Sequence, residues 1–329
     1  MRLIFDDRWC GQHGIGRFAS EISRRFGSFR SVAPIVKPTS PFDPVFLTIY
    51  LLFLKHDVYF SPGYNAPFFS RKPFVFTVHD LNHVDVQDNS SLLKRLYYKI
   101  FLRRACRGAM FICTVSEYSK NRISEWAGVP PEKIIVLGNG VSSIFSPEGD
   151  QYPIGSPYFL CVSNRKGHKN EIGVLKAFCA SAVSRDVKLV FTGDSDEKIQ
   201  SIICGLGLSD RVVFTGKLTE NELAALYRGA ICLLFPSFYE GFGLPALEAM
   251  ASGTPVITSN CTSLPEVVGD SAILVSPLSI DEIAKSINCI YESLELRKKL
   301  SISGIARSKI FNWDSVFSKL VSALISKGA

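Results

Sequence analysis

The sequence predicts an α/β protein with two doubly wound domains, each built on a parallel sheet. The chain has 329 residues, which is enough for two domains of ordinary size. Short apolar runs recur in both halves, and several precede a glycine-rich or polar loop and then a helical pattern. Residues 142–156, rich in proline, glycine and serine, separate the halves. Parallel sheets of this kind bind ligands at the carboxyl ends of their strands.

Positive charge is concentrated in the first half of the chain. The formal net charge is +7, and residues 1–139 contain 19 Lys and Arg against 11 Asp and Glu. A basic half of this kind could bind nucleic acid, an anionic membrane surface or a lipid phosphate. No nucleic-acid motif accompanies the charge, so we expect the membrane surface or the lipid phosphate and no nucleic acid.

The sequence contains no membrane span or export signal that we can identify. Its longest apolar run, residues 45–54 (VFLTIYLLFL), is about half the length of a membrane span and is interpreted as a buried helix. Residues 1–9 carry acids where a signal peptide would have its apolar core, so we expect a cytoplasmic protein. The nine cysteines form no C-x-x-C pair, which is typical of reduced thiols.

The first half contains two loops that are candidate ligand positions. A strand over residues 2–6 leads through a glycine-containing loop, residues 7–16, to a helix near Arg17. The spacing G-x-x-G-x-G does not match the dinucleotide fingerprint, and either an ordinary tight turn or a phosphate-facing turn explains it. A later strand, residues 74–78, ends at His79 and Asp80. These two are either a ligand-binding pair or a helix cap with a structural histidine.

Residues 92–107 (LLKRLYYKIFLRRACR) predict a basic helix. Apolar residues recur at helical spacing, and Lys and Arg fill most of the other positions. The helix is either a solvated surface helix or a face that docks on a membrane, because interfacial helices combine basic and aromatic residues. Strands over residues 110–115 and 134–137 follow it.

The second half begins with a basic loop. A strand over residues 158–162 is followed by SNRKGHKN, with bases at positions 165, 166, 168 and 169. A basic cluster at the carboxyl end of a strand suits a pyrophosphate, because Arg offers a planar fork and Lys a point charge. A basic surface loop is the alternative. Further strands are predicted over residues 187–192, 211–215, 231–235 and 255–259.

The stretch over residues 235–253 (FPSFYEGFGLPALEAMASG) carries two acids eight positions apart, Glu240 and Glu248. Its glycines precede a helix that begins near Pro245 and ends at Gly253. The loop therefore lies at a helix N-terminus, where free N–H groups favour an anion. Two acids beside an anion suit a ligand with hydroxyls on both sides of its phosphates, such as a nucleotide sugar. Two solvated acids at a loop–helix junction are the alternative.

The motif EGFGLPALE, followed by AMASGTPVITSN, resembles the E-x7-E signature of retaining glycosyltransferases of family GT4, which have the GT-B fold. GQHGIG, the His79–Asp80 pair, TVSEYSK, the turn over residues 138–141 and FNW at 311–313 extend the resemblance along nearly the whole chain. It implies two Rossmann-like domains facing each other across a cleft. Residues 1–143 would form the acceptor-side domain, 144–156 a linker, 157–312 the nucleotide-sugar domain, and 313–329 a helix crossing back to the first domain.

The resemblance implies four catalytic residues. His79 would lie at the donor sugar near the reacting carbon, and Glu240 would contact the sugar hydroxyls. Arg165 and Lys169 would hold the donor diphosphate and offset the charge on the leaving group. The family retains anomeric configuration, so front-side attack within an ion pair is expected rather than a covalent glutamate intermediate.

The resemblance also implies a set of donor-binding residues around the diphosphate, the base and the ribose. These are Gly14, Gly16, Lys217, Leu218, Phe242, Gly243, Leu244 and Glu248. We expect no metal and no cofactor beyond the nucleotide sugar, because no His or Asp grouping has metal-ligand spacing.

The donor and the acceptor are expectations drawn from the same resemblance. A compact chain with the block DDRWCGQHGIGRFA resembles bacterial transferases that build O-antigen or other surface polysaccharide. We expect mannosyl transfer from GDP-mannose to a lipid-linked glycan at the cytoplasmic face of the inner membrane. Rhamnosyl or other hexosyl transfer from a GDP-, UDP- or dTDP-sugar is the first alternative. A GT-B epimerase or phosphorylase and a non-catalytic partner subunit are others, whereas the glycine spacing argues against an NAD-dependent dehydrogenase.

Overall fold

The computed structural model describes residues 2–11, 14–33, 35–86 and 92–328. The chain divides into two compact units. Unit 1 comprises Met1–Gly140 with Asn312–Ala329, and unit 2 comprises Val141–Phe311. Each unit contains a six-stranded sheet in which every strand pair is parallel, with helices in the connections. The predicted α/β class with two parallel sheets is therefore confirmed.

The sheet of unit 1 has the strand order β2-β1-β3-β4-β5-β6. Its strands are β1 (Leu3–Phe5), β2 (Arg30–Ser31), β3 (Val58–Ser61), β4 (Phe74–Thr77), β5 (Phe111–Thr114) and β6 (Ile134–Val136). Its helices are α1 (Ile15–Phe26), α2 (Asp43–Leu52), α3 (Asn82–Asp85), α4 (Leu92–Tyr97), α5 (Arg103–Gly108), α6 (Glu117–Ala127) and, at the end of the chain, α14 (Trp313–Gly328). A π-helical turn, Tyr98–Leu102, joins α4 to α5, and short 3-10 turns cover Asp7–Trp9 and Pro131–Lys133.

Unit 1 has a hydrophobic cluster on each face of its sheet. Alternation along the strands explains this, because successive side chains point to opposite faces. Ile4 and Tyr59 belong to one cluster, whereas Phe5 and Phe60 belong to the other. The second cluster also contains the buried face of α14, from Trp313 to Leu324. The last helix of the chain therefore completes the core of the unit that contains the first strand.

The sheet of unit 2 has the strand order β12-β11-β10-β7-β8-β9. Its strands are β7 (Tyr158–Cys161), β8 (Lys188–Phe191), β9 (Val212–Phe214), β10 (Cys232–Phe235), β11 (Val256–Ser259) and β12 (Ile273–Val275). Its helices are α7 (Glu171–Ala180), α8 (Glu197–Gly205), α9 (Glu220–Gly229), α10 (Leu244–Ala251), α11 (Leu264–Val268), α12 (Ile280–Glu292) and α13 (Leu294–Ser308). The strands are buried and apolar, as expected when helices cover both faces of a parallel sheet.

Each sheet has a point at which the order of its strands reverses. In unit 1, β1 lies between β2 and β3, and in unit 2, β7 lies between β8 and β10. The loops that follow the two strands at such a point leave in opposite directions and open a crevice, which is where parallel sheets bind ligands. In unit 2 the loops after β7 and β10 meet this description.

Two predicted helices of unit 1 form, but the sides that they expose differ from what the sequence predicts. Residues 45–54 do form most of a helix, α2, but it is not buried all round: Val45, Ile49 and Leu52 are exposed. In the predicted helix at 92–107, Leu96 and Ile100 are exposed, whereas Tyr98 and Leu102 are buried. The side chains of residues 92–94, including Lys94, lie outside the described residues.

Candidate active site

A lysine and a glutamate form an ion pair at the switch point of unit 2. The Nζ atom of Lys169, in the loop after β7, donates to the Oε1 atom of Glu240, in the loop after β10, over 2.7 Å. The two side chains are 14% and 11% exposed. The Lys169 ammonium also lies 5.0 Å from the centroid of the Phe235 ring, a cation–π contact. The structure thus brings together two of the predicted catalytic residues, at the carboxyl ends of two adjacent strands.

Asn170 fixes the loop that carries the lysine. It has a left-handed backbone (φ 56°), which ends the 3-10 turn Gly167–Lys169 and starts α7. Its side-chain amide donates to the carbonyl oxygens of Pro236 and Pro277, over 3.0 and 2.8 Å. Pro236 directly follows β10, so this hydrogen bond ties the lysine loop to the segment that leads to Glu240.

The loop after Glu240 needs glycine at position 243. Gly243 has φ +103° and is the N-cap of α10. A Cβ atom at this position would lie 2.6 Å from Cδ2 of Leu264. The predicted helix near Pro245 is confirmed, because α10 begins at Leu244. The backbone N–H of Leu244 has no carbonyl acceptor within the helix, as is general for a first helical residue. Phe242 is buried, with its ring 5.8 Å from that of Phe311.

Thr262 and Ser263 hold the glutamate loop from the end of the next strand. The backbone N–H of Glu240 donates to Oγ1 of Thr262 over 3.3 Å. The Ser263 hydroxyl donates to the carbonyl oxygens of Glu240 and Phe242, over 2.9 and 3.0 Å. Thr262 has φ +58°, which is a rare conformation for a β-branched residue. Neither residue was predicted from the sequence, where hydroxyl side chains just after an apolar strand were the available signal.

Glu248 lies one turn into α10 and is 4% exposed. The hydroxyl of Tyr227, a fully buried residue of α9, donates to its Oε2 atom over 3.1 Å. Thr254 in turn donates from Oγ1 to the carbonyl oxygen of Tyr227 over 2.6 Å. The second acid of the E-x7-E pair is thus held inside unit 2 by a hydrogen bond from the adjacent helix.

Arg165 is directed towards the ends of β8 and β9. Its Nε atom donates to the carbonyl oxygen of Asp194 over 2.8 Å, and its other nitrogens contact the Glu171 carboxylate and the carbonyl oxygen of Thr192. The guanidinium also lies over the ring of Phe214, 5.0 Å from its centroid. No hydrogen bond among the described residues connects Arg165 to the Lys169–Glu240 pair.

Lys217 and Leu218 follow β9, at the same edge of the sheet as Arg165. Lys217 is exposed, and Leu218 is partly exposed. The preceding residue, Gly216, forms an antiparallel bridge with Gly193 of the loop after β8. The bridge fixes the start of this turn, and Thr219 then caps α9 with a reciprocal capping box to Glu222.

The predicted glycine loop of unit 1 follows β1. Gly14 is the N-cap of α1 and has φ +52°. Gly16 packs on the loop itself: a Cβ atom there would lie 3.0 Å from the backbone of Gly11, whose N–H donates to the Gly16 carbonyl over 3.2 Å. Gln12 and His13 of this loop lie outside the described residues. The glycine at position 16 is therefore required for the closure of the loop.

His79 follows β4 and is half-buried. Its Nε2 atom lies 2.8 Å from the carbonyl oxygen of Pro62. A carbonyl oxygen can only accept, so Nε2 carries the proton and Nδ1 is the acceptor of the neutral ring. Burial lowers the pKa of His79, against the opposing effects of that hydrogen bond and of Asp80. The ring packs edge-to-face on Phe18, with the centroids 5.1 Å apart.

A buried charge cluster, which was not predicted from the sequence, lies at the start of the loop after β1. The Arg8 side chain is 4% exposed and donates to both oxygens of Asp6 over 2.7 Å and to Oδ1 of Asp43 over 2.6 Å. The Tyr59 hydroxyl donates to Oδ2 of Asp6 over 2.8 Å. Burial raises the pKa of Asp43, although Arg8 opposes this. The cluster connects β1, β3 and α2.

The predicted site residues divide between the two units. Gly14, Gly16 and His79 belong to unit 1, and the others belong to unit 2. Within unit 2, hydrogen bonds join Lys169 to Glu240, while Arg165 is bonded to the loop after β8. Across residues 2–11, 14–33, 35–86 and 92–328, no group of three His, Cys, Asp or Glu side chains is arranged to hold a metal ion.

Two family models match the chain. The model described as Glycosyltransferase Family 4 matches residues 12–143, and the model described as Glycosyl transferases group 1 matches residues 148–307. The first falls almost entirely within unit 1 and the second within unit 2.

Two curated relatives are described as mannosyltransferases, and one solved structure with a similar fold is a complex with UDP and glucose. O-antigen chain mannosyltransferase B of Escherichia coli is 27% identical over 283 residues, covering 82% of this chain and 74% of that protein. MMP alpha-(1->4)-mannosyltransferase of Mycolicibacterium hassiacum is 34% identical over 239 residues, covering 70% of this chain and 58% of that protein. The structure of HepE of Anabaena in complex with UDP and glucose has a TM-score of 0.80 at 18% identity, covering 99% of this chain and 100% of that chain.

Proposed function

We propose that this chain transfers mannose from GDP-mannose to a lipid-linked glycan. The proposal starts from its family and fold: the chain belongs to the group 1 glycosyltransferases and has their GT-B fold. The relatives described as mannosyltransferases, one of them of an O-antigen chain, support the sugar and the process. HepE, whose structure contains UDP and glucose, supports a nucleotide-sugar donor. The observation that carries the proposal is the Lys169–Glu240 pair at the switch point of unit 2.

Lys169 is the residue proposed to meet the donor diphosphate. When the nucleoside diphosphate leaves, negative charge grows on its β-phosphate, and a fixed ammonium stabilises that charge. Glu240 already accepts a hydrogen bond from this ammonium over 2.7 Å, so the cation is positioned before the donor arrives. The N–H of Leu244, at the start of α10, adds a second donor of the type that binds phosphates.

The two glutamates are proposed to bind hydroxyls at opposite ends of the donor. Glu240 would accept from the hexose and Glu248 from the ribose. Attack by the acceptor on the same face as the leaving group would retain the anomeric configuration, without a covalent bond to Glu240. Gly14, Gly16 and His79 are the residues of unit 1 assigned to the donor, and Arg165, Lys217, Leu218, Phe242 and Gly243 are the further residues of unit 2.

The acceptor is proposed to be a lipid-linked glycan at the cytoplasmic face of the inner membrane. The support is the excess of Lys and Arg over residues 1–139, since basic segments are attracted to anionic lipid surfaces. No described helix is long and apolar enough to cross a membrane. The acceptor would therefore meet the protein at the membrane surface.

A thermal-shift series with GDP, UDP, dTDP, ADP and NAD tests the donor. A ligand that binds only the folded state raises the melting temperature by mass action. We expect a shift with GDP. A shift with UDP or dTDP instead would indicate another hexosyl transfer and overturn the mannose assignment. No shift with any nucleotide at millimolar concentration would favour a non-catalytic subunit.

Lys169→Ala tests the assignment of the diphosphate site. We expect the variant to lose the nucleotide shift and about 10²–10³ of kcat, the loss typical of a removed electrostatic stabiliser. Lys176→Ala, an exposed lysine of α7 in the same unit, is the matched control and should behave like the wild type. Near-normal turnover in Lys169→Ala would contradict the assignment.

A further inference from the structure

An apolar stripe lies on the solvent-exposed side of α2 in unit 1. The helix exposes Val45, Ile49 and Leu52, and Phe42 and Phe53 flank it, with Phe53 84% exposed. The first four positions follow one another at three or four residues, and Phe53 lies four residues after Ile49, so all five share one side of the helix. The opposite side of α2 packs in the core of unit 1. The stripe is therefore apolar surface beyond what folding uses, and contiguous surface of this kind marks an interaction site.

Two phenylalanines extend the stripe towards the basic helical segment, by which we mean α4, the π-helical turn and α5. The backbone N–H of Phe68 donates to the carbonyl oxygen of Pro44 over 3.0 Å, and that of Phe69 donates to Oγ1 of Thr48 over 3.1 Å. Both phenylalanine side chains are exposed. The ring of Phe68 also lies 5.7 Å from that of Phe101, in the π-helical turn. Backbone hydrogen bonds and ring contacts thus join α2 and the helical segment into one surface.

A cavity of about 610 Å³ lies between these phenylalanines and the helical segment. Four cations line it: Lys99, Arg103, Arg104 and Arg107. None of the described residues that line it is an Asp or Glu. The Arg104 guanidinium lies over the ring of Phe68, 4.7 Å from its centroid. Aromatic walls with unopposed cations fit the phosphate of a lipid rather than a neutral or cationic partner.

We propose that this surface docks unit 1 onto an anionic lipid bilayer. We call it the α2 surface and define it as the exposed face of α2, residues 68–69 and the cationic cavity. The apolar side chains enter the interfacial layer, and the cations meet lipid phosphates. Interfacial helices combine these two features, and each basic residue near an anionic surface adds roughly fivefold to affinity. A second copy of the chain docked on the same surface would instead place cations against cations, which repel each other. The inference deepens the proposed function, whose acceptor is lipid-linked.

Sedimentation of the full chain with vesicles tests the proposal. We expect binding to vesicles of phosphatidylethanolamine and phosphatidylglycerol at least tenfold stronger than to vesicles of phosphatidylcholine. Added salt should reduce the difference, because it screens the charge term. Phe53→Trp should show a blue-shifted emission on the anionic vesicles, since the indole would leave water. Equal binding to both lipids, or no binding, would overturn the proposal.

Paired variants separate the apolar and charged contributions. Ile49→Ser with Phe53→Ser should weaken binding to anionic vesicles about tenfold or more, and Lys99→Gln with Arg104→Gln should remove the preference for anionic lipid. The matched control is Ile302→Ser, an exposed apolar residue of α13 in unit 2, which should bind like the wild type. Wild-type binding by the Ile49 and Phe53 double variant would contradict the proposal.

Nucleotide binding and oligomeric state distinguish the possible failures. The serine variants should keep the thermal shift with nucleotide, because the donor residues of unit 2 are untouched. Loss of vesicle binding with that shift intact would support the α2 surface. Vesicle binding in a protein that no nucleotide stabilises would refute the transferase and leave the surface standing. A dimer that the Ile49 and Phe53 substitutions abolish would overturn the bilayer in favour of a second copy.

Discussion

Three residues near the Lys169–Glu240 pair adopt a backbone conformation that favours glycine. Among the described residues, Arg165, Asn170 and Thr262 are the non-glycine residues with positive φ. The first two belong to the loop after β7, which carries Lys169, and Thr262 belongs to the loop after β11, which hydrogen-bonds to Glu240. Strained backbone of this kind clusters at functional sites, where the surrounding structure enforces it. We infer that the surrounding hydrogen bonds hold these loops of the proposed donor site in that conformation.

Thr262 provides a test at the residue scale. Thr262→Gly and Thr262→Ala both remove the acceptor of the Glu240 N–H, but only the alanine keeps a Cβ at φ +58°. We expect the glycine variant to be more stable than the alanine variant by about 1–2 kcal/mol in urea unfolding. Both should lose turnover, and Thr262→Ser, which keeps the hydroxyl, should retain it. An alanine variant as stable as the glycine variant would show that the strain is absent.

His79 gives the folded protein a pH dependence of predictable sign. Burial lowers the pKa of His79, so below pH 6.5 the unfolded chain binds a proton that the folded chain resists. The free energy of unfolding should therefore fall as the pH drops through this value. His79→Gln should flatten that part of the profile and match the wild-type slope above pH 8. A variant with the wild-type slope near pH 6 would refute the assignment.

At the scale of elements, the loop between β10 and α10 depends on the fit between one glycine and one leucine. Gly243→Ala places a methyl 2.6 Å from Cδ2 of Leu264 at a φ of +103°. We expect a loss of about 2–4 kcal/mol, from backbone strain and overpacking together. Gly205→Ala, at the end of α8 in open space, is the control and should gain about 0.5–1 kcal/mol. Equal effects of the two substitutions in thermal unfolding would contradict this account.

A buried charge cluster helps to hold the loop after β1. Arg8→Met leaves the carboxylates of Asp6 and Asp43 without their cation, so we expect a loss of about 3–5 kcal/mol. Arg2→Met is the control, because its ion pair with Asp57 is exposed and water screens such pairs, so we expect a much smaller loss. Denaturant unfolding measures both. A loss in Arg8→Met no larger than in Arg2→Met would show that the cluster contributes no stability.

The positions of helices and strands were easier to predict from the sequence than which side of a helix is buried or which distant residues form hydrogen bonds. Apolar runs mark parallel strands, so the loops that hold Lys169 and Glu240 could be placed in advance. The hydrogen bond between them joins residues 71 positions apart, which no local pattern reports. Thr262 was missed because β-branched residues favour extended backbone. The apolar run of α2 predicted a buried helix, yet burial depends on what packs against each face, and one face has no such neighbour within the described unit.

At the scale of the molecule, each unit has its own parallel sheet and its own switch point, and each matches a glycosyltransferase model. Unit 2 carries the charged pair assigned to the donor, whereas the excess of Lys and Arg over Asp and Glu lies in unit 1. The proposed α2 surface would give that charge a role, because the proposed lipid-linked acceptor would be presented at an anionic surface. We therefore assign nucleotide recognition to unit 2 and membrane recognition to unit 1.

Sugar transfer by the purified protein is the direct test of the proposed mannosyltransferase activity. The purified chain is incubated with GDP-mannose and a lipid-linked oligosaccharide from an O-antigen pathway, and the mass of the product is measured by mass spectrometry. We expect an acceptor heavier by one or more hexose units. The wild type and Lys176→Ala should form it at similar rates, and Lys169→Ala at least a hundredfold more slowly. An unchanged acceptor with GDP-mannose, alongside a glycosylated acceptor with a UDP- or dTDP-sugar, would contradict the mannosyl assignment. Equal product from Lys169→Ala would contradict the site.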